Sequence, residues 1–279
     1  MQQAAGFDNI RDTIDQLVMI MADKNGYIAV FDSGVGGISV LRRLRQRMPG
    51  ERFLYYGDSA NAPYGQRSPE QIRALTFAAV ERILTRPAKA LVVACNTATA
   101  VAIDDLRKRY PQLLIIGIEP ALKLAADRYP GGTVCMLSTP ATLKSPRVTR
   151  LMEAHSDRCT FIPLGTPELA PLVEQGQGNS PQARQLLEAL FAPYQNRLDA
   201  VILGCTHYPY AAAALRDCLG PKVALLDGGP GTAAHTKHLL EAADLLSDGP
   251  GELLWENSLD SREILERCAM LMEQPLEDA

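Results

Sequence analysis

The stretch Ala90-Leu-Val-Val-Ala-Cys-Asn-Thr-Ala-Thr99 decides the fold. Its first five residues are apolar without a break, and a helix-period pattern over 97–110 follows at once. A strand with one wet face alternates apolar and polar residues. A strand that is apolar throughout is covered on both faces, as in a parallel sheet flanked by helices. The same grammar extends outward. Apolar runs at 27–31, 53–56, 113–118, 133–137, 159–164, 200–204, 223–227 and 252–256 read as strands. Helical segments separate them at 40–48, 69–86, 120–129, 144–154, 168–175, 181–197, 210–219 and 228–246. Asp260 with Glu263 predicts a capping box before a terminal helix. The expected fold class is α/β, with two similar lobes, each a mainly parallel sheet flanked by helices.

The expected division is a leader helix over 1–26, lobe one over 27–117 plus 228–279, and lobe two over 118–227. In the leader, Ile10, Ile14, Leu17, Val18 and Met21 recur at helical spacing, and Asn25-Gly26 breaks the pattern. A ligand is expected in the crevice between lobes, at the carboxyl ends of the strands.

Composition narrows the class. The 279 residues are 47% hydrophobic and 22% charged, the balance of a soluble globular protein. A formal net charge of −4 leaves no broad basic surface, so direct nucleic-acid binding is not expected. Six cysteines without any Cys-x-x-Cys fit free thiols in a reducing cytoplasm rather than a disulfide framework. Asp8, Arg11, Asp12 and Asp15 stand where a signal peptide needs an apolar middle, and no apolar run approaches a membrane span.

The chemistry lies in a repeated turn. Cys95-Asn96-Thr97 follows one buried strand, and Cys205-Thr206-His207 follows another 110 residues later. A thiol at a helix N-terminus is expected to have a lowered pKa, because unsatisfied N–H groups and the helix dipole favour the thiolate. A lone cysteine is more often a small buried hydrophobe. Two, each at a strand-to-helix turn among polar neighbours, point to function; Cys135, Cys159, Cys218 and Cys268 lie on apolar positions and read as packing. Cys205 and His207 supply two zinc ligands and no cluster offers the others, so no metal is expected.

Other polar residues gather at strand ends. Asp32-Ser33-Gly34-Val-Gly-Gly37 lacks the spacing of a dinucleotide fingerprint, and its glycines suit tight turning and presentation of N–H groups to a ligand. Asp32 suits a helix cap, a thiol-orienting group or an ammonium site. Thr139 and Thr142, beside Ser138, suit either helix capping or a carboxylate. From its position alone Glu174 reads as a solvated charge, and the loop carrying Asp58, Tyr64 and Gly65 as a turn.

Four segments together, Val30-Phe-Asp-Ser-Gly-Val-Gly-Gly37, Tyr56-Gly-Asp-Ser-Ala-Asn-Ala-Pro-Tyr-Gly65, Ala94-Cys-Asn-Thr-Ala98 and Gly204-Cys-Thr-His-Tyr-Pro209, resemble the glutamate racemases among the cofactor-independent amino-acid racemases. The resemblance spans roughly residues 27–275. It implies interconversion of L- and D-glutamate without pyridoxal phosphate or metal, supplying D-glutamate for peptidoglycan. It implies Cys95 and Cys205 as the two bases, Cys95 acting on the D-enantiomer and Cys205 on the L-enantiomer. Asp32 would assist Cys95; His207 and Glu174 would assist Cys205. Asp32, Ser33, Tyr64, Gly65, Asn96, Thr97, Thr206 and His207 match substrate-binding positions, and Thr139 and Thr142 match hydroxyls holding the side-chain carboxylate. The family also implies a monomer or homodimer. In some Gram-negative members the cell-wall precursor UDP-MurNAc-L-Ala activates near an N-terminal extension, to which the leader here is similar. Departures fall at Ser138, at Lys144-Ser-Pro-Arg-Val-Thr149 and at Asp227-Gly-Gly229, on the second lobe's rim and the hinge. The alternatives are a racemase for aspartate or another small acid, and a non-enzymatic thiol or metal-binding protein.

Overall fold

The computed structural model describes residues 23–276. The leader helix expected over 1–26 therefore falls almost wholly outside the described residues.

Among the described residues, nine strands form two sheets in which every pairing is parallel. The first contains β1 (Tyr27–Asp32), β2 (Arg52–Gly57), β3 (Ala88–Val93), β4 (Leu114–Gly117) and β9 (Glu252–Asn257), in the order β4-β3-β1-β2-β9. The second contains β5 (Thr133–Ser138), β6 (Thr160–Gly165), β7 (Ala200–Gly204) and β8 (Ala224–Asp227), in the order β6-β5-β7-β8. Strand β1 is buried along its whole length, as continuous apolarity requires. The α/β class and the paired parallel sheets are as expected from the apolar runs.

Each sheet changes winding direction once. In the first, β2 lies on one side of β1 and β3 on the other; in the second, β6 and β7 flank β5. Connections leave a switch point on opposite faces, so a crevice opens there at the strands' carboxyl ends. Asp32 ends β1 and Cys95 lies just past β3; Ser138 ends β5 and Cys205 lies just past β7. The two cysteines thus stand at the two switch points.

The lobes share a core. One buried apolar cluster includes Ile28, Leu41 and Leu44 near the first sheet and Leu137, Val201 and Tyr208 near the second. Helix α1 (Ile38–Arg47) packs against α10 (Gly229–Ala242) and α11 (Arg262–Glu273). Helix α2 (Pro69–Ile83) starts with a complete capping box between Ser68 and Gln71. The expected Asp260–Glu263 box is not formed. Ser261, in extended backbone, caps α11 instead and accepts from the Ile264 N–H, so the N3 position carries an isoleucine that cannot reciprocate. Among the described residues no helix is long and apolar enough to cross a membrane.

Lys89 of β3 is fully buried, donating to Glu51 Oε2 at 2.6 Å and to the carbonyls of Lys24 at 2.7 Å and Leu245 at 2.9 Å. Every ammonium proton has an acceptor. Lys89→Met is expected to cost about 3–5 kcal/mol, because it leaves the Glu51 carboxylate buried without its counter-charge. Denaturant unfolding measures it; a loss below about 1 kcal/mol, the scale of an exposed pair, overturns the expectation.

Candidate active site

Cys95 is the N-cap of α3 (Asn96–Arg109), its sulfur accepting from the Ala98 N–H at 3.4 Å while its thiol donates to Ser33 Oγ at 3.3 Å. Cys205 differs from expectation. It precedes a turn at Thr206–His207 and a 3-10 turn at Tyr208–Ala211 containing Pro209, and α9 (Ala212–Leu219) begins only afterwards. Only one of the two thiols is therefore an α-helix cap.

A cavity of about 270 Å³ joins the two turns. Cys95, Asn96 and Thr97 form one wall, and Cys205, Thr206 and His207 another. Ser33, Tyr64, Gly65, Thr139 and Glu174 add to its lining, with Ser59 and Gln175. Asp32 and Thr142 do not line it; both are fully buried behind the wall. Leu259 and Ile264 also border the cavity, and no sequence motif marks them.

Asp32 spans the two lobes. Its Oδ1 accepts from the Gly34 N–H at 3.0 Å, and its Oδ2 accepts from the Thr206 hydroxyl at 3.0 Å. The cap reading of Asp32 fails, since the N-cap of α1 is Gly37 and no side chain caps that helix. Ser39 Oγ adds a second cross-link, bonding the carbonyls of Gly36 at 2.9 Å and Thr206 at 3.0 Å. On the Cys95 side, the hydroxyls of Thr97, Thr139 and Thr142 form a closed triangle with edges of 2.9–3.0 Å. Thr139 also caps the short helix α5 (Pro140–Leu143), so the capping reading holds for it, and its side chain lines the cavity as well. Tyr64 is fixed by donating to Asp58 Oδ2 at 2.6 Å.

Glu174, which ends helix α7 (Leu169–Glu174), is no solvated charge. Its Oε1 accepts from His207 Nε2 at 2.6 Å and from the Val35 N–H at 2.9 Å. His207 Nδ1 lies 3.5 Å from Cys205 Sγ and 3.5 Å from Thr206 Oγ1. The glycine loop takes its sequence from these contacts. A Cβ at Gly34 would come within 2.0 Å of Glu174 Oε1, and one at Gly36 within 2.4 Å of His207 Nδ1. The loop's N–H groups at Gly34 and Val35 hold the protein's own carboxylates, Asp32 and Glu174, rather than facing an open ligand site.

Electrostatics separates the two sides. Burial, with the Asp32 carboxylate nearby, pushes the Cys95 thiol up to about 12, against smaller help from Ser33 and the Ala98 N–H. The expected lowering by the helix terminus is outweighed by desolvation. Burial also raises Asp32, with His207 and the Thr206 hydroxyl opposing. Burial works against a charged His207, but the Cys205 and Glu174 contacts win and hold it well above its ordinary value. Burial would likewise raise Glu174, but the His207 hydrogen bond and charge bring it below the usual carboxylate range. His207 and Glu174 are therefore a buried imidazolium–carboxylate pair at neutral pH. Among the described residues no group of three metal-ligating side chains occurs.

Two thiols lining one cavity, one near a buried carboxylate and one beside an imidazolium, are the groups that proton transfer at two faces of one small ligand requires. The hydroxyl triangle and the N-terminus of α3 offer hydrogen bonds to an anionic end of such a ligand. The glutamate racemase of Clostridium perfringens is 42% identical over 253 residues, covering 90% of this chain and 97% of the relative. A crystal structure of a glutamate racemase isoform of Bacillus anthracis superposes with a TM-score of 0.82 at 27% identity, over 91% of this chain and 96% of that one. The Escherichia coli glutamate racemase, solved with L-glutamate and the activator UDP-MurNAc-Ala, superposes with a TM-score of 0.78 at 29% identity, over 88% and 94%. The family model described as Asp/Glu/Hydantoin racemase matches residues 37–238, from the glycine loop through both cysteine turns to α10. With most of its length and both thiol-bearing turns inside that match, the chain belongs to the Asp/Glu/hydantoin racemase family.

Proposed function

We propose that the protein is a glutamate racemase, interconverting L- and D-glutamate by proton transfer at the α-carbon between Cys95 and Cys205. The observation that carries the reading is one cavity lined by both thiols. Glutamate, rather than another amino acid, is supported by the 42% identity to a glutamate racemase along 90% of the chain.

In the L-to-D direction the Cys205 thiolate takes the α-proton and becomes a thiol. The carbon's electron pair spreads into the α-carboxylate, and the Cys95 thiol delivers its own proton to the opposite face and becomes a thiolate. The D-to-L direction runs the same steps backward. One residue cannot serve both faces, which is why two are needed. The α-ammonium, bound at Ser33 in front of the buried Asp32, offsets the negative charge that opposes the Cys95 thiolate. His207, kept protonated by Glu174, offers its Nδ1–H to the Cys205 sulfur. N–H and hydroxyl donors from Asn96, Thr97, Tyr64, Gly65 and Thr206 take up the charge developing on the α-carboxylate. Thr139, held from behind by the buried Thr142 hydroxyl, binds the distal carboxylate. Free thiols require reducing surroundings, in line with a cytoplasmic enzyme that supplies D-glutamate to cell-wall synthesis.

The test is polarimetric or coupled assay of the metal-free protein on D-glutamate, L-glutamate and D-aspartate. Turnover of both glutamate enantiomers, with D-aspartate slower by tenfold or more, is expected. Preference for aspartate overturns the substrate, and inactivity on all three overturns the enzyme.

A regulatory site has separate support. A second cavity of about 530 Å³ lies between the ends of β4 and β8, with Arg107, Lys123, Arg128 and His235 on its lining against the acids Glu119 and Asp227. Its cationic groups suit an anionic ligand of the kind of UDP-MurNAc-L-Ala. Stimulation of D-glutamate turnover by that compound, reduced in a chain lacking residues 1–25, is the expected result; equal rates with and without it overturn the idea.

A further inference from the structure

Helix α11 closes one side of the site, although no motif in it carries chemistry. It enters from β9, whose exit is pinned to the loop after β2: the Ser258 N–H donates to Gly57 O at 2.9 Å, and Ser258 Oγ accepts from the Ala60 N–H at 2.9 Å. Ile264, Arg267, Cys268 and Leu271 follow at i, i+3, i+4 and i+7, the spacing of one helix face. Ile264 lines the cavity, and Cys268 and Leu271 are buried in the core. Arg267 is the one charged residue of that stripe.

Its guanidinium lies on Gly176. A Cβ built there would fall 1.9 Å from Arg267 Nη1, and Gly176 has a φ of +74°, a conformation in which a side chain is strained. A glycine at this place leaves the guanidinium room. Gly176 is two residues past Glu174, whose carboxylate holds His207 and the Val35 N–H. The charge of Arg267 acts on that carboxylate in the same direction as His207.

We propose that Arg267 is a positioning residue for the Cys205 side of the reaction: seated on Gly176, two residues past Glu174, it fixes the end of α7 with its charge near the Glu174 carboxylate, and so holds the Glu174–His207 pair against the Cys205 sulfur. This deepens the racemase reading above and rests on it. Arg267 touches no reacting atom; it acts through Glu174.

The experiment compares Arg267→Gln and Arg267→Lys in the full chain, with L- and D-glutamate in protonated and α-deuterated form. The enantiomers have equal free energy, so kcat/KM must fall equally in both directions, and about tenfold is expected for the glutamine variant. The isotope effects need not match. Slower transfer at Cys205 raises the effect with α-deuterated L-glutamate and lowers that with α-deuterated D-glutamate. A structural role alone moves neither. The lysine variant, keeping the charge, should recover most of the rate. If Arg267→Gln is too unstable to purify, Gly176→Ala, which displaces the guanidinium without removing it, is read in the same way. Unchanged isotope effects, or a lysine variant as slow as the glutamine variant, overturn the inference. An inactive wild-type chain overturns the racemase reading itself, which separates the two failures.

Discussion

Cys205→Ser is expected to cut racemisation about a thousandfold in both directions, and Cys95→Ser to do the same, because each removes one of two groups that must exchange a proton in every turnover. The hydroxyl is far less acidic than the thiol it replaces, so it neither ionises to a base nor yields its proton readily near neutrality. The damage should be chemical and not structural. Serine is close to cysteine in size, and at position 95 it retains, and by preference improves, the N-cap acceptor now used by the Ala98 N–H. Both cysteines are more than nine-tenths buried, so thermal unfolding should move little if the substitution is isosteric. A sharper result follows in heavy water. Cys205→Ser keeps Cys95, which should still exchange the α-proton of D-glutamate with retention, while L-glutamate stays unlabelled. Cys95→Ser should show the reverse. Proton NMR of the recovered amino acid reads both outcomes. Wild-type racemisation in either variant, or loss of exchange on the same enantiomer in both, sinks the two-thiol assignment.

How far the sequence foretells this site depends on how far apart the partners lie along the chain. Apolar runs and helix periods are local signals, and they locate the sheets and both cysteine turns, since Cys95-Asn96-Thr97 and Cys205-Thr206-His207 carry their polar neighbours next to the thiol. What the pattern leaves out is made by long-range packing. Glu174 reads as a surface charge because its partners, His207 and the Val35 N–H, are 33 and 139 residues away. Leu259 and Ile264 reach the site, and Arg267 reaches Gly176 beside it, because parallel pairing of β9 with β2 carries the chain back across it. The thiol at Cys95 shows the limit of a local rule for electrostatics. A helix terminus favours the thiolate, but complete burial beside Asp32 opposes it more strongly, and burial is a property of the whole fold. The glycines 34, 36 and 37 are visible in the sequence while their reason is not. They look like a backbone prepared for a ligand, and they are room for side chains brought in by the other lobe or by the neighbouring strand end.

Gly36→Ala tests that last point and should have the second-largest effect. The added methyl would lie 2.4 Å from His207 Nδ1, 2.6 Å from Cε1 and 2.7 Å from Cγ, so it meets the face of the ring and not one movable end. Backbone strain is not the cause, since Gly36 is not among the described glycines with positive φ. The ring has nowhere to retreat. Glu174 holds its Nε2 at 2.6 Å, and Ser39 ties the carbonyl of Gly36 to that of Thr206, the residue before His207. Either the imidazole leaves Cys205 or the glycine loop moves away from the second lobe and takes the Asp32–Thr206 hydrogen bond with it. Overpacking of this kind costs about 1–3 kcal/mol of stability. A misplacement of about 1 Å at the proton-transfer group costs about a hundredfold in kcat. The control is Gly231→Ala, in α10, where an added Cβ has nothing within 4 Å. It should stabilise by about 0.5–1 kcal/mol through helix propensity and leave unstimulated turnover unchanged. If Gly36→Ala keeps its kcat while losing only stability, the loop is a packing element and His207 does not need its present place; a kcat loss that outruns the stability loss shows that the close approach of glycine to imidazole serves the chemistry.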